Sequence, residues 1–177
     1  VSNTTNNLLI LGAGQYSFVI EDIAHLGGNF SQIHCLDDKV TRSQRVVGCF
    51  NELAKFREEH LFAIVAIGNP NVRRELTASL LRLGYKLPIL VHPRAWISPT
   101  ASVADGCILE ANAIVNANAV VGLCSFICAG AVINHNACVG DFCQIDCNAT
   151  VPARAVVPQE TKVNCGEIYA IKQREDR

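Results

Sequence analysis

The apolar positions along the chain follow two different periods. Up to about residue 88, short apolar runs alternate with segments whose apolar residues return every three or four positions. Leu8 to Leu11 is one such run, closed by Gly12-Ala13-Gly14. Residues 16–26 follow, with Val19, Ile20, Ile23, Ala24 and Leu26 at helical spacing. Gly27-Gly28 then offers a residue that accepts the left-handed conformation at a helix end. Residues 32–36 predict a second strand, closed by Asp37-Asp38, and residues 51–60 a helix. Residues 61–67 are unbroken apolar, as in a strand buried on both faces, and stop at Gly68-Asn69-Pro70. Asn69 is placed to cap a helix over 70–83, which Gly84 ends. Strands separated by helices imply a small parallel sheet with crossover helices, so the first part is an α/β domain.

From Ala95 the period becomes six. The third residue of each hexad is Ile97, Val103, Leu109, Val115, Val121, Ile127, Ile133, Val139, Ile145, Val151, Val157 and Val163. Two positions earlier stand Ala95, Ala101, Cys107, Ala113, Ala119, Ser125, Ala131, Ala137, Cys143, Ala149, Ala155 and Thr161. Neither a strand of period two nor a helix of period 3.6 produces this, and a fixed repeat signals a solenoid. The aliphatic residue fills the interior and the small one permits a tight corner. Asn112, Asn118, Gly122, Gly130, Asn136, Gly140 and Asn148 crowd the turns, and these residue types tolerate unusual backbone angles. The hexapeptide pattern resembles that of left-handed parallel β-helices, and the hand comes from that resemblance. In the β-helices that this pattern resembles, three hexads make one triangular coil, which implies residues 18 apart stacked at about 4.8 Å and four coils here. The expected organisation is therefore a Rossmann-like domain over 1–88 and a β-helix over 89–177.

Charge changes the picture by exclusion. The formal net charge of −1 is spread without long runs, which leaves no footprint for nucleic acid. No apolar stretch reaches membrane-spanning length, so no membrane insertion is expected. Residues 1–7 are polar and lack the layout of a signal peptide, and residues 172–177 form a polar tail. Nine cysteines at irregular spacing suit reduced thiols in a cytoplasmic protein. Neither Cys124 with Cys128 nor Cys138, Cys143 and Cys147 forms a paired CxxC unit, and no metal site is expected.

The chemistry-bearing residues of the first part lie after its strands. Gly12, Gly14 and Ser17 make two-thirds of a dinucleotide fingerprint, which is weak for NAD. A glycine turn into a helix still presents N–H groups and a positive dipole to phosphates. Asp37 or Asp38 follows the second strand, where an acid reaches a ribose or base edge.

The two parts together resemble the NeuD/PglD family of sugar acetyltransferases. The resemblance rests on residues 8–14, Leu36-Asp37-Asp38, Ala66-Ile67-Gly68-Asn69, Val91-His92-Pro93 and residues 130–136. It implies acetyl-CoA as co-substrate and a nucleotide-linked amino sugar or a sialic-acid-like sugar as acceptor. It also implies a homotrimer with active sites between neighbouring β-helices, for which Phe126, Cys128 and Val132 supply apolar atoms outside the interior column. The same resemblance makes His135 the general base, with Asn136 where relatives often carry an acid. Gln144 matches a histidine that helps hold the coenzyme, and Ala153 is a further coenzyme position. Gly12, Gly14, Gln15, Tyr16, Asp37, Asp38, Gly68 and Asn69 form the expected nucleotide-sugar site, with Gln15-Tyr16 where many relatives have Gly-His. The repeat fades after Gly166, where relatives continue, so the β-helix is expected to be a short variant. An alternative is a non-catalytic nucleotide-sugar-binding trimer that has lost a complete coenzyme site. A hexapeptide enzyme for another acceptor would leave the first domain unexplained.

Overall fold

The computed structural model describes residues 6–39 and 41–170. The tail at 172–177 and the first five residues lie outside that range. The chain divides into two compact units, Val1–Pro93 and Arg94–Arg177.

The first unit is built on four parallel strands: β1 (Leu8–Leu11), β2 (Ile33–Leu36), β3 (Val46–Gly48) and β4 (Phe62–Val65), in the order β3-β2-β1-β4. The all-apolar β1 is central and wholly buried, paired with Ile33 and Phe62 at Leu8. Helix α1 (Gln15–Gly27) buries Ile20, Ile23 and Ala24. Val19 and Leu26, expected on the same stripe, are 37% and 58% exposed because they lie seven apart on a neighbouring row. Gly28 takes the left-handed cap at φ 63°, and its N–H donates to the His25 carbonyl.

Strand β3 was not anticipated, since three residues are too short to show a period. The expected helix over 51–60 is also much shorter. A 3-10 turn (Phe50–Glu52) leads into α2 (Leu53–Phe56), which has one buried residue, Leu53. The Leu53 carbonyl, which a longer helix would offer to Arg57, accepts instead from the Tyr85 hydroxyl at 2.8 Å. Helix α3 (Pro70–Arg82) starts as expected: Asn69 Oδ1 accepts from the N–H groups of Asn71 and Val72.

The second unit is a left-handed parallel β-helix of two-residue strands. Trp96 stacks on Ile114, Val132 and Thr150; Ser102 on Val120, Cys138 and Val156; Ile108 on Phe126, Gln144 and Lys162. Every partner is 18 residues away, as three hexads per coil require. The interior column from Leu109 to Val163 is at most 1% exposed, while Ile97 and Val103 of the first coil are half-buried.

The turns obey a sharper rule than the sequence showed. The left-handed conformation recurs at every sixth residue from Gly106 to Gly166. It includes Asn112, Asn118, Gly130, Asn136 and Asn148, but also Cys124, Phe142, Arg154 and Glu160. Gly122 and Gly140 are not among them. They are glycines because the next coil passes too close: an added Cβ would stand 2.6 Å from the Asp141 nitrogen or 2.5 Å from the Gln159 nitrogen. At one corner the small residue is also a donor. Cys107, Ser125 and Cys143 give their side-chain protons to the carbonyls of Gly122, Gly140 and Pro158 at 3.0–3.1 Å.

Candidate functional site

The carboxyl ends of β1, β2 and β4 come together in the first unit. The Gly12 N–H donates to the Leu36 carbonyl and the Ala66 N–H to the Leu11 carbonyl, both at 2.8 Å. Gly12 needs φ 104°, and a Cβ there would stand 3.0 Å from Ile67 Cγ1. Gly14, the N-cap of α1, is the opposite case: a Cβ would meet nothing within 4 Å. Its exposed backbone and that of Gln15 face open space at the helix N-terminus, and Tyr16 is half-buried beside them. The order β3-β2-β1-β4 puts the switch point of the sheet between β1 and β4, where open α/β sheets bind ligands.

The acids are committed to the frame of this loop. Asp37 Oδ2 accepts from the Ala13 N–H and Oδ1 from the Lys39 N–H, each at 2.8 Å. Asp38 Oδ1 accepts from the Phe50 N–H at 2.9 Å. Asn69 spends its Oδ1 on capping α3. Asp37 thus shapes the glycine loop, and Asp38 and Asn69 hold chain segments beside it. Gly68 and Asn69 are exposed on the rim.

Two arginines complete the frame, and sequence reasoning missed both roles. Arg73, on α3, is 1% exposed, and its Nη1 donates to the carbonyls of Ile67 and Gly68 at 2.8 and 3.0 Å. Arg45 crosses the start of α1, donating to Glu21 Oε1 at 2.6 Å, to the Ala13 carbonyl at 3.3 Å and to the Ser17 hydroxyl, with its guanidinium 4.1 Å above the Phe18 ring. Nothing in the local pattern around Arg45 marks it, because its partners are 24 to 32 residues away. A cavity of about 340 Å³ in this unit lies elsewhere, among Ile23, Ala24, Phe30, Phe62 and Leu90.

In the second unit His135 occupies a turn between two of the three sheets and is exposed. Its N–H donates to Asn134 Oδ1 at 2.8 Å, and its Nδ1 lies 2.9 Å from Asn136 Nδ2. The residues one coil away on either side are Ala117 and Ala153, so the two positions stacked on His135 carry only methyl side chains. Ala117 is a neighbour that only the 18-residue stacking reveals. Gln144 lies outward on the sheet with Ile108, Phe126 and Lys162, at a different position around the coil. Within one chain it does not share the corner of His135 and Ala153.

The buried thiols are poor nucleophiles. Burial pushes Cys35 and Cys107 up to about 12, and Cys128 is pushed up for the same reason with Glu110 adding to it.

A β-helix of hexapeptide repeats and a small parallel-sheet domain are the architecture of an acyltransferase. Residues 7–80 match the family model of the PglD N-terminal domain. Over the whole chain, the acetyltransferase domain of PglB from Neisseria gonorrhoeae, solved in complex with acetyl coenzyme A, is similar at 26% identity and TM-score 0.84; the match covers 94% of this chain and 91% of that one. Perosamine N-acetyltransferase from Caulobacter crescentus, in complex with CoA and GDP-perosamine, shares the fold at 22% identity and TM-score 0.77, over 93% and 88% of the two chains. WeeI from Acinetobacter baumannii shares it at 16% identity and TM-score 0.75, over 93% and 91%. Residues 7–80 are thus similar to the PglD N-terminal domain, and the chain as a whole is similar to sugar acetyltransferases.

Proposed function

We propose that the protein transfers an acetyl group from acetyl-CoA to an amino group of a nucleotide-linked sugar, with His135 as general base, in the making of a bacterial surface glycan. The observation that carries the reading is the exposed His135 in a turn bounded by Ala117 and Ala153, on a fold whose gonococcal relative was solved with acetyl coenzyme A. Bound there, acetyl-CoA supplies an activated acyl group. His135 takes the proton that the attacking amine must lose, through a neutral ring nitrogen. For Nε2 to be that nitrogen, Nδ1 must carry the proton and find an acceptor. Asn136 supplies one when its amide oxygen, not its nitrogen, faces Nδ1; the two orientations share the same heavy-atom positions.

The glycine loop holds the nucleotide in this reading. The first-turn N–H groups of α1 face phosphate, and Asp37 and Arg45 hold the loop through the N–H and carbonyl of Ala13, beside the open Gly14. Gln15 and Tyr16 replace the Gly-His of many relatives and so shape the contacts to the sugar.

The assembly that suits this reading is a homotrimer. Phe126 and Cys128 do not serve it, because both are already buried, at 1% and 3% exposure. The face made by Ser102, Val120, Cys138 and Val156, with Ala104, Gly122, Gly140 and Pro158 beside them, is uncharged, with Val120 44% and Val156 68% exposed. A neighbouring subunit on that face also gives Gln144 a route to a His135 other than its own. The free cysteines suit a reducing compartment, and a cytoplasmic location goes with the reading.

The alternative of a non-catalytic binding trimer drew on the length of the β-helix. A chain that spans 91% of the gonococcal domain gives it little support. The test is acetyl transfer from labelled acetyl-CoA to a panel of UDP-, GDP- and CMP-linked amino sugars. Transfer to at least one is expected; none, from protein that binds a nucleotide sugar, returns the alternative.

A further inference from the structure

At another corner of the β-helix the 18-residue stacking gathers a different set of groups. The fifth position of two consecutive coils is Cys147 and Cys165, and Asp146 precedes the first of them. The Gly166 N–H donates to the Cys147 carbonyl at 2.9 Å, which ties the two turns together. The Cys147 N–H donates to Asp146 Oδ1 at 2.9 Å and turns the carboxylate toward the thiols. One ligand atom from each of the three residues lies within 4.8 Å of the other two. Asp146 and Cys147 are half-buried and Cys165 is exposed, so the cluster is anchored on one side and open on the other.

We propose that Asp146, Cys147 and Cys165 form a site for a thiophilic divalent cation, best matched by Zn²⁺, with its fourth position open to solvent. Tetrahedral zinc with bonds of about 2.3 Å to sulfur and about 2.0–2.2 Å to oxygen sets its ligand atoms roughly 3.5–3.8 Å apart. The observed spacing therefore needs to close by about 1.3 Å at most, which side-chain rotation supplies. Two thiolates and a carboxylate carry three negative charges against the two of the cation. Lys162 is placed to balance the remainder, its Nζ 3.2 Å from Asp146 Oδ2 on a side chain 55% exposed. Two sulfurs in three ligands select zinc, cadmium or cobalt over magnesium or calcium. Binding displaces the two thiol protons to solvent and joins the last coil to the one before it. The sequence sets considered for a metal ran along the chain; this one forms across coils, which a spacing motif does not see.

The test uses the full chain, reduced and stripped with a chelator, titrated with Co²⁺. A thiolate-to-cobalt charge-transfer band saturating at one equivalent is expected. Cys147→Ser and Cys165→Ser each abolish it, Asp146→Asn weakens binding at least about tenfold, and Cys49→Ser in the other unit leaves it intact. On the unmodified protein, Zn²⁺ slows iodoacetamide alkylation of Cys147 and Cys165, read by peptide mass spectrometry. The absence of a band, a band that survives loss of both cysteines, or equal alkylation with and without Zn²⁺ overturns the site.

Discussion

Replacing His135 by alanine separates a chemical role from a structural one, because the structure gives the side chain almost nothing else to do. The imidazole is exposed, and its side-chain hydrogen bond is to Asn136, itself exposed. The bond from the His135 N–H to Asn134 is made by the backbone and survives the change, as does the one from the Arg154 N–H to the His135 carbonyl. Alanine already stands at both neighbouring coils, in Ala117 and Ala153. The cost in stability should therefore stay within about 0.5 kcal/mol, the range of surface substitutions. General-base catalysis contributes about 10²–10⁴ in rate, or roughly 2.7–5.4 kcal/mol of barrier. Under saturating acetyl-CoA and nucleotide sugar, kcat should fall by at least about a hundredfold with unchanged melting temperature and unchanged binding of the sugar nucleotide. Asn136→Asp supplies an acceptor that cannot turn the wrong way, fixes the proton on Nδ1, and should raise turnover. His135→Ala protein as active as its parent would refute the base assignment. A fall in kcat that tracks a fall in melting temperature would show that the residue acts through the fold.

Three further outcomes follow from other parts of the molecule. Asp37→Ala frees the Ala13 N–H and should weaken nucleotide-sugar binding measured by calorimetry with little change in kcat; unaltered affinity would remove the loop from the site. Val156→Asp puts a charge on the exposed uncharged face and should convert a trimer to monomers in light scattering, whereas a trimer that persists would place the subunit contact elsewhere. Stability should fall as pH drops below about 6.5, the ordinary histidine range, because burial holds His60 below that value. The unfolded chain then takes up a proton that the folded one refuses, so the urea midpoint should decline between pH 7 and 5, and His60→Gln should flatten that decline.

The sequence announced the β-helix almost completely because its signal is local and repeated: each hexad carries its own interior aliphatic residue and its own corner. The same reading assigned Gly122 and Gly140 to unusual backbone angles, when their reason is the approach of Asp141 and Gln159 from the next coil. It could not find the role of Arg73, because a charged residue on an amphipathic helix is usually solvated, and two backbone carbonyls at the end of β4 are not a pattern that a helix period contains. It assigned Phe126 and Cys128 to a subunit face from their outward register, which fixes direction but not whether a neighbour within the chain already covers them. The candidate site divides the same way. His135, Gly12 and Gly14 could be proposed because each sits in a local motif. What holds them could not: Asp37 on Ala13 is 24 residues away and Arg45 on Ala13 is 32. In the β-helix the long-range neighbours become readable once the 18-residue period is known, which is how Ala117 and Ala153 around His135, and Cys165 beside Cys147, are found. In the parallel-sheet domain no such period exists, and the residues that shape its loop emerge only when the strands are set side by side.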